Sequence, residues 1–192
     1  MNRIVYKRNE KDPPSRIRLF VSESKFDRSI SLFAKAAEGI KLVTTPSTVK
    51  ETRYDTFVEN LELKSVVLNE GLERLGELEG NDQNKPEGMF SNTKIKRITL
   101  PSTLRVLGDN AFCQCAKLKC VNFRNGSKLE TIGRRCFSES GIETVTLPKT
   151  LKTVSASAFE RCESLMVAQV EDSCEISLSG AGIPTSARVI FL

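Results

Sequence analysis

Six cysteines, Cys113, Cys115, Cys120, Cys136, Cys162 and Cys174, are the residues of this chain with the widest chemical reach, because thiolates bind metals, attack electrophiles and form disulfides. Only Cys113, Cys115 and Cys120 lie close together, and their spacing is neither C-x-x-C nor matched by a second pair, so it makes no zinc motif. Histidine is absent from all 192 residues, which removes the usual general base and every Ser–His or Cys–His pair. There is no P-loop and no G-x-G-x-x-G at a strand end, and the acids are scattered through solvated positions. The expectation is a chain that is not an enzyme, carries no catalytic residue, cofactor or metal, and acts through its surface.

The elements that position that surface come from a repeat. Phe57, Phe90, Phe112, Phe137 and Phe159 mark one register, with spacings of 33, 22, 25 and 22. Each is followed by L-x-x-V-x-L: Leu63/Val66/Leu68, Ile95/Ile98/Leu100, Leu118/Val121/Phe123, Ile142/Val145/Leu147 and Leu165/Ala168/Val170. Residues two apart share one face of a strand, so each copy predicts a short strand with its apolar side turned inward. A second apolar pair follows, Leu72/Leu75, Leu104/Leu107, Leu129/Ile132 and Leu151/Val154, before the next Phe-bearing turn. A period of this length means a solenoid, in which no unit buries its own apolar face and neighbours must stack. The long spacing comes from an insertion, Gly76 to Gly88, rich in Gly, Asn and acid, and the 25 from Arg124-Asn125-Gly126-Ser127 in place of a Leu-Pro turn. A degenerate first copy is expected at Ile40/Val43/Thr45, and a last atypical strand, Arg188 to Leu192, as a C-terminal cap.

The segment Ile98-Thr-Leu-Pro-Ser-Thr-Leu-Arg-Val-Leu-Gly-Asp-Asn-Ala-Phe-Cys-Gln-Cys-Ala-Lys-Leu118 resembles the BspA-like, or Treponema pallidum type, leucine-rich repeat, L-x-x-I-x-L-P-x-x-L-x-x-I-G-x-x-A-F-x-x-C. Ile142 to Cys162 is nearly as close, and the likeness runs from about residue 40 to 178. Asn60, Asn92 and Ser140 stand where the family often has Cys. The resemblance implies an α/β solenoid with parallel strands on its concave face, and a role in adhesion or protein binding, as proposed for bacterial surface proteins and protist families with such repeats. Asn60, Asn92, Cys115 and Cys162 fall three residues before the first apolar residue of each strand, where such folds keep a small buried ladder that satisfies backbone groups; Cys136 reads as a small core residue and Cys120 as exposed.

The net charge of +5 is unevenly spread: residues 1–41 hold ten Lys/Arg against five Asp/Glu, and residues 42–192 hold nineteen of each. The division expected is therefore 1–39 as a basic arm and N-terminal capping helix, with Ser24 to Gly39 helical, and 40–192 as the solenoid. Arg3, Lys7, Arg8, Lys11, Arg16 and Arg18 could meet phosphates or an acidic partner, so nucleic acid enters only through this arm. No stretch of 18 apolar residues predicts a membrane span, and no h-region predicts a signal peptide. That reading favours the cytoplasm, whereas the family resemblance implies the cell surface.

The outward residues of the strands define the candidate partner-binding face: Ser65, Val67, Asn69, Arg97, Thr99, Cys120, Asn122, Arg124, Thr144, Thr146, Val167 and Gln169. Arg97 and Arg124, one repeat apart, are expected to grip one acidic group. Two other readings stand beside this protein-binding scaffold. One is a structural subunit of a larger assembly held by the basic arm, and the other is self-association through the apolar edge Val189-Ile-Phe-Leu192.

Overall fold

The computed structural model describes residues 5–6, 19–20, 42–45, 47, 49–52, 57, 61–78, 88–171 and 176–192. Strands β1 (Val5–Tyr6) and β2 (Leu19–Phe20) pair antiparallel. The rest is a stack of coils whose strands are all parallel. One five-stranded sheet runs β7 (Arg97–Leu100), β9 (Cys120–Phe123), β11 (Thr144–Leu147), β13 (Val167–Val170), β14 (Arg188–Phe191), and β3 (Leu42–Thr44) pairs with β5 (Ser65–Val67) beside it. The second apolar pair of each copy makes the other sheet, from two-residue strands: β4 (Glu51–Thr52), β6 (Arg74–Leu75), β8 (Val106–Leu107), β10 (Thr131–Ile132) and β12 (Thr153–Val154). The described residues contain no helix, so this is a parallel β-solenoid in which short strands take the return path. The expected capping helix at 24–39, the six cations of the basic arm, Asn60 and Cys174 lie outside the described residues.

The L-x-x-V-x-L copies fill the interior as the period-2 reading requires. Leu63, Leu68, Ile95, Ile98, Leu100, Leu118, Val121, Ile142, Val145, Leu147, Leu165, Ala168 and Val170 are all buried. The five phenylalanines have no exposed area and stack in one column, with centroids 5.4–5.6 Å apart and ring planes within 20°. In the degenerate first coil Val43 and Val49 are buried like their counterparts, but two core positions, Thr45 and Thr52, are polar. Thr45 accepts the Asn69 N–H at 3.0 Å and Thr52 the Gly76 N–H at 3.0 Å, so neither buried hydroxyl is left unpaired.

A third ladder runs along the Phe turns. Each phenylalanine N–H donates to a carbonyl of the following coil (Met89, Ala111, Cys136, Ala158, Ala181) at 2.8–2.9 Å. Residues two positions to either side do the same: Asn110, Arg135 and Ser157 before the ring, Asn92, Gln114 and Glu139 after it. These six hold φ between 49° and 59°. Left-handed backbone costs a residue with a Cβ about 1–2 kcal/mol. Here it turns alternate N–H groups towards the next coil, and the hydrogen bonds offset the strain.

Proline determines where the first sheet opens. The residue just after each long strand donates its N–H to the preceding coil in three places: Arg124 to Leu100 O, Glu171 to Leu147 O and Leu192 to Val170 O. Pro101 and Pro148 stand at that position after β7 and β11 and have no N–H to give. Between β9 and β11 the ladder accordingly stops at Val121↔Val145, whereas β7/β9 and β11/β13 pair through four residues; β5 and β7 stand in separate sheets.

The last strand, β14, pairs in register with β13, Val167↔Arg188 through Val170↔Phe191. All four of its residues are exposed, Phe191 to 68%. It extends the sheet by one strand, and the inward residues of β13, Ala168 and Val170, have no exposed area.

Candidate functional site

The outward rows of the first sheet are aligned by the parallel pairing. Arg97, Cys120, Thr144 and Val167 lie side by side and are continued by Arg188, a residue the repeat reading did not include. In the second row Thr99 pairs with Asn122, Thr146 with Gln169, and Gln169 in turn with Ile190. Ser65 and Val67 face outward from β5, Val67 41% exposed. Several of these side chains already bond one another. Thr146 Oγ1 donates to Gln169 Oε1 at 3.0 Å, and Cys120 Sγ to Asn122 Oδ1 at 3.2 Å. Asn69 is tied to the first coil: its N–H and Nδ2 both donate to Thr45.

Arg97 and Arg124 are not brought together. Arg97 opens β7 opposite Cys120, and Arg124 follows the end of β9 four residues further on, which separates them by about 13 Å along the strands. Arg124 is also engaged. Its Nη1 donates to Glu70 Oε1 at 2.8 Å, and the same carboxylate accepts the Ser102 N–H (3.1 Å), the Ser102 hydroxyl (3.0 Å) and the Thr103 N–H (3.2 Å). Glu70 thus joins three successive coils, a contact across 54 residues that the repeat register does not encode.

Desolvation raises the Glu70 carboxyl pKa, but the Ser102 N–H, the Arg124 guanidinium, the Ser102 hydroxyl and the Thr103 N–H outweigh it, and it comes down from 4.5 to about 2. A carboxylate whose folded pKa lies below its unfolded one stabilises the fold fully above the unfolded value, and that contribution is lost as pH falls through the folded value. Stability should therefore drop between about pH 4.5 and pH 2 partly through Glu70. In Glu70→Gln the urea midpoint should vary less with pH over that window; equal slopes in the two proteins would refute the assignment.

Cys113, Cys115, Cys136 and Cys162 are buried in the interior, while Cys120 stands on the outer face. Cys115 Sγ donates to Phe90 O at 3.0 Å and meets Thr93 Oγ1 at 3.4 Å, and Cys162 Sγ donates to Phe137 O at 3.0 Å and meets Ser140 Oγ at 3.5 Å. The buried ladder is therefore Thr93, Cys115, Ser140 and Cys162, each three residues after its phenylalanine. Asn92, expected there, is exposed and holds the left-handed turn at φ 54°. Counting back from the strand failed because the stretch from Phe to strand is one residue shorter in that coil. Burial raises the thiol pKa of Cys115, Cys136 and Cys162, and brings Cys113 to about 12, so none is a ready thiolate. No group of three metal-ligating side chains gathers among the described residues.

Where β9 and β11 part, a groove of about 460 Å³ opens, lined by Asn122, Phe123, Arg124, Asn125, Thr146 and Lys149 among others. Phe123 is half-buried there, although its counterparts Leu100, Leu147 and Val170 are at most 1% exposed.

Parallel coils of 22 to 25 residues, an inward L-x-x-V-x-L strand and a continuous Phe column define a solenoid of the leucine-rich repeat class. The chain belongs to the BspA-type leucine-rich repeat family, whose model, a region of six copies, matches residues 83–180. Among solved structures it is similar to the pneumococcal vaccine antigen PcpA, at 28% identity and a TM-score of 0.61 over 73% of this chain and 33% of that one. It also shares the fold of a leucine-rich cell surface protein from Faecalibacterium prausnitzii A2-165, at 16% identity and a TM-score of 0.50, covering 82% of this chain and 43% of that one. The chain thus spans less than half the length of either protein. No curated protein matches it.

Proposed function

We propose that this chain is a non-enzymatic protein-binding scaffold, adhesive in character, that recognises its partner through the outer face of the first sheet. The observation that carries the reading is the alignment of outward side chains in two rows across adjacent strands, a mostly polar surface with Arg97 and Arg188 at the ends of one row and Val167 and Ile190 as apolar points. Solenoids present extended surfaces of this kind to partners, and the relatives are named as an antigen and a cell surface protein. Neither row contains Trp or Tyr, so affinity should be spread over many contacts.

The test is capture of partners from host-cell and same-organism lysates by the wild type, by Arg97→Glu/Thr144→Glu and by a chain lacking residues 1–18. A partner lost only with the double substitution, at unchanged thermal midpoint, supports the outer face. One lost only with the deletion moves the function to an assembly subunit held by the basic arm. The exposed Val189, Ile190, Phe191 and Leu192 on the β14 edge favour a second reading, self-association. A sedimentation coefficient of the wild type that stays monomeric as concentration rises would exclude it.

A further inference from the structure

Resting on the outer-face reading, we propose that the parted end of β9 and β11 is its recognition site, and that it takes an extended acidic segment of a partner protein.

The opening follows from covalent structure. Pro148 cannot continue the ladder back to β9, and Arg124-Asn125-Gly126-Ser127 replaces a tight turn, with Gly126 at φ 72° and open space around it. Beyond Val121↔Val145 the strand ends are unladdered towards each other, so Asn122, Phe123, Thr146 and Pro148 border a groove instead of a closed sheet. Its size, about 460 Å³, lies within the range of sites that hold small ligands or a few residues of peptide. Phe123 offers an apolar floor, and the amides and hydroxyls of Asn122, Asn125, Ser127 and Thr146 offer polar walls suited to a peptide backbone.

The charge around the groove selects the sign of the ligand. Arg124 stands on one bank, held in place by Glu70. Lys149 stands on the other, with its backbone N–H fixed by Glu171 Oε2 at 3.0 Å, and its ammonium has no ion-pair partner among the described residues. Lys149 also borders a neighbouring groove of about 560 Å³ with Arg105, Lys128 and Lys152. Of the five cations across the two grooves, Arg105 and Lys152 pair with Glu130 and Arg124 with Glu70, which leaves Lys128 and Lys149 to meet a ligand, with Glu171 as the remaining carboxylate. An extended segment crossing Lys149 with acidic residues around one apolar residue would set the apolar side chain on Phe123 and its carboxylates against Lys149 and Lys128. Side chains alternate along such a segment, which gives it the two faces this requires.

The experiment uses the full chain and three labelled probes: the peptide Asp-Glu-Leu-Glu-Asp, its counterpart Lys-Lys-Leu-Lys-Lys, and a sulfated heparin oligosaccharide, read by fluorescence anisotropy. The acidic peptide should bind and the lysine peptide should not. Affinity should fall roughly tenfold in Lys149→Glu, whose side chain is exposed and outside the core, and should weaken as salt rises from about 0.1 to about 0.5 M. Equal binding of the two peptides, or an acidic peptide indifferent to Lys149→Glu, overturns the proposal; so does oligosaccharide binding that depends on Lys149 while the peptide stays free. If the acidic peptide is inert but a captured partner is still lost in Arg97→Glu/Thr144→Glu, only this site assignment falls. If neither peptide nor partner is affected, the outer-face reading falls with it.

Discussion

Phe112→Ala should be the most damaging single truncation in the solenoid, lowering stability by about 3–5 kcal/mol in urea unfolding. The ring has no exposed area and stacks on Phe90 at 5.5 Å and on Phe137 at 5.6 Å. Alanine would remove the transfer energy of the ring, leave a cavity that the neighbouring coils cannot fill, and delete two aromatic contacts worth about 0.5–1.5 kcal/mol each beyond burial. Domains of this size hold only about 5–15 kcal/mol in total, so the loss takes a large share. In a stack of nearest-neighbour contacts the position of the loss also matters. A cavity in the middle uncouples the coils on either side, so the unfolding curve should broaden or split. A loss below about 1 kcal/mol with an unchanged slope would mean that the column is not a continuous support.

Gly133→Ala is the second. A Cβ there would lie 2.5 Å from Asp109 Oδ1 and 2.7 Å from both Asp109 N and Gly108 C, two of which are backbone atoms with nowhere to move. The same contact region holds the Gly133 N–H on Leu107 O at 2.8 Å and the Arg134 N–H on Asp109 Oδ1 at 2.8 Å. One methyl group therefore forces two coils apart and stretches both hydrogen bonds, at a cost of about 1–3 kcal/mol or more. Gly126→Ala is the matched control. Its φ is 72° but no atom lies within 4 Å of the new Cβ, so only backbone strain of about 1–2 kcal/mol applies. If the thermal midpoint falls more for Gly126→Ala than for Gly133→Ala, close coil packing is not what requires glycine at Gly133.

How much of this was legible in the sequence depends on whether a feature repeats. The Phe column, the inward strand residues and the second apolar pair recur in register, and each stands where periodicity puts it. The split between β9 and β11 was also written in the chain, since Pro148 has no N–H to donate, but it becomes visible only once the residue after each strand is known to bond backwards. Arg135 and Glu139 give no turn signal of their own. Their left-handed backbone is imposed by the need to aim alternate N–H groups at the next coil. The outer rows followed from alternation, whereas the Glu70–Arg124 pair did not, because it joins loops whose approach depends on three-dimensional closure. Thr93 was missed for a simpler reason: the segment between Phe90 and the strand is one residue short, and only counting forward from the ring finds the buried position.

The coil-to-coil bonding has a mechanical consequence. The described backbone hydrogen bonds between coils join residues 21 to 26 apart in sequence, or 32 to 33 apart across the longer coil, so along the backbone each coil is held by its immediate neighbours. A pull applied along the stack would then load one interface at a time, and a released coil of 22 residues would pay out about 75 Å of slack before the next came under tension. A tether built this way yields in steps and dissipates work at each of them, where a single globular core would fail at once.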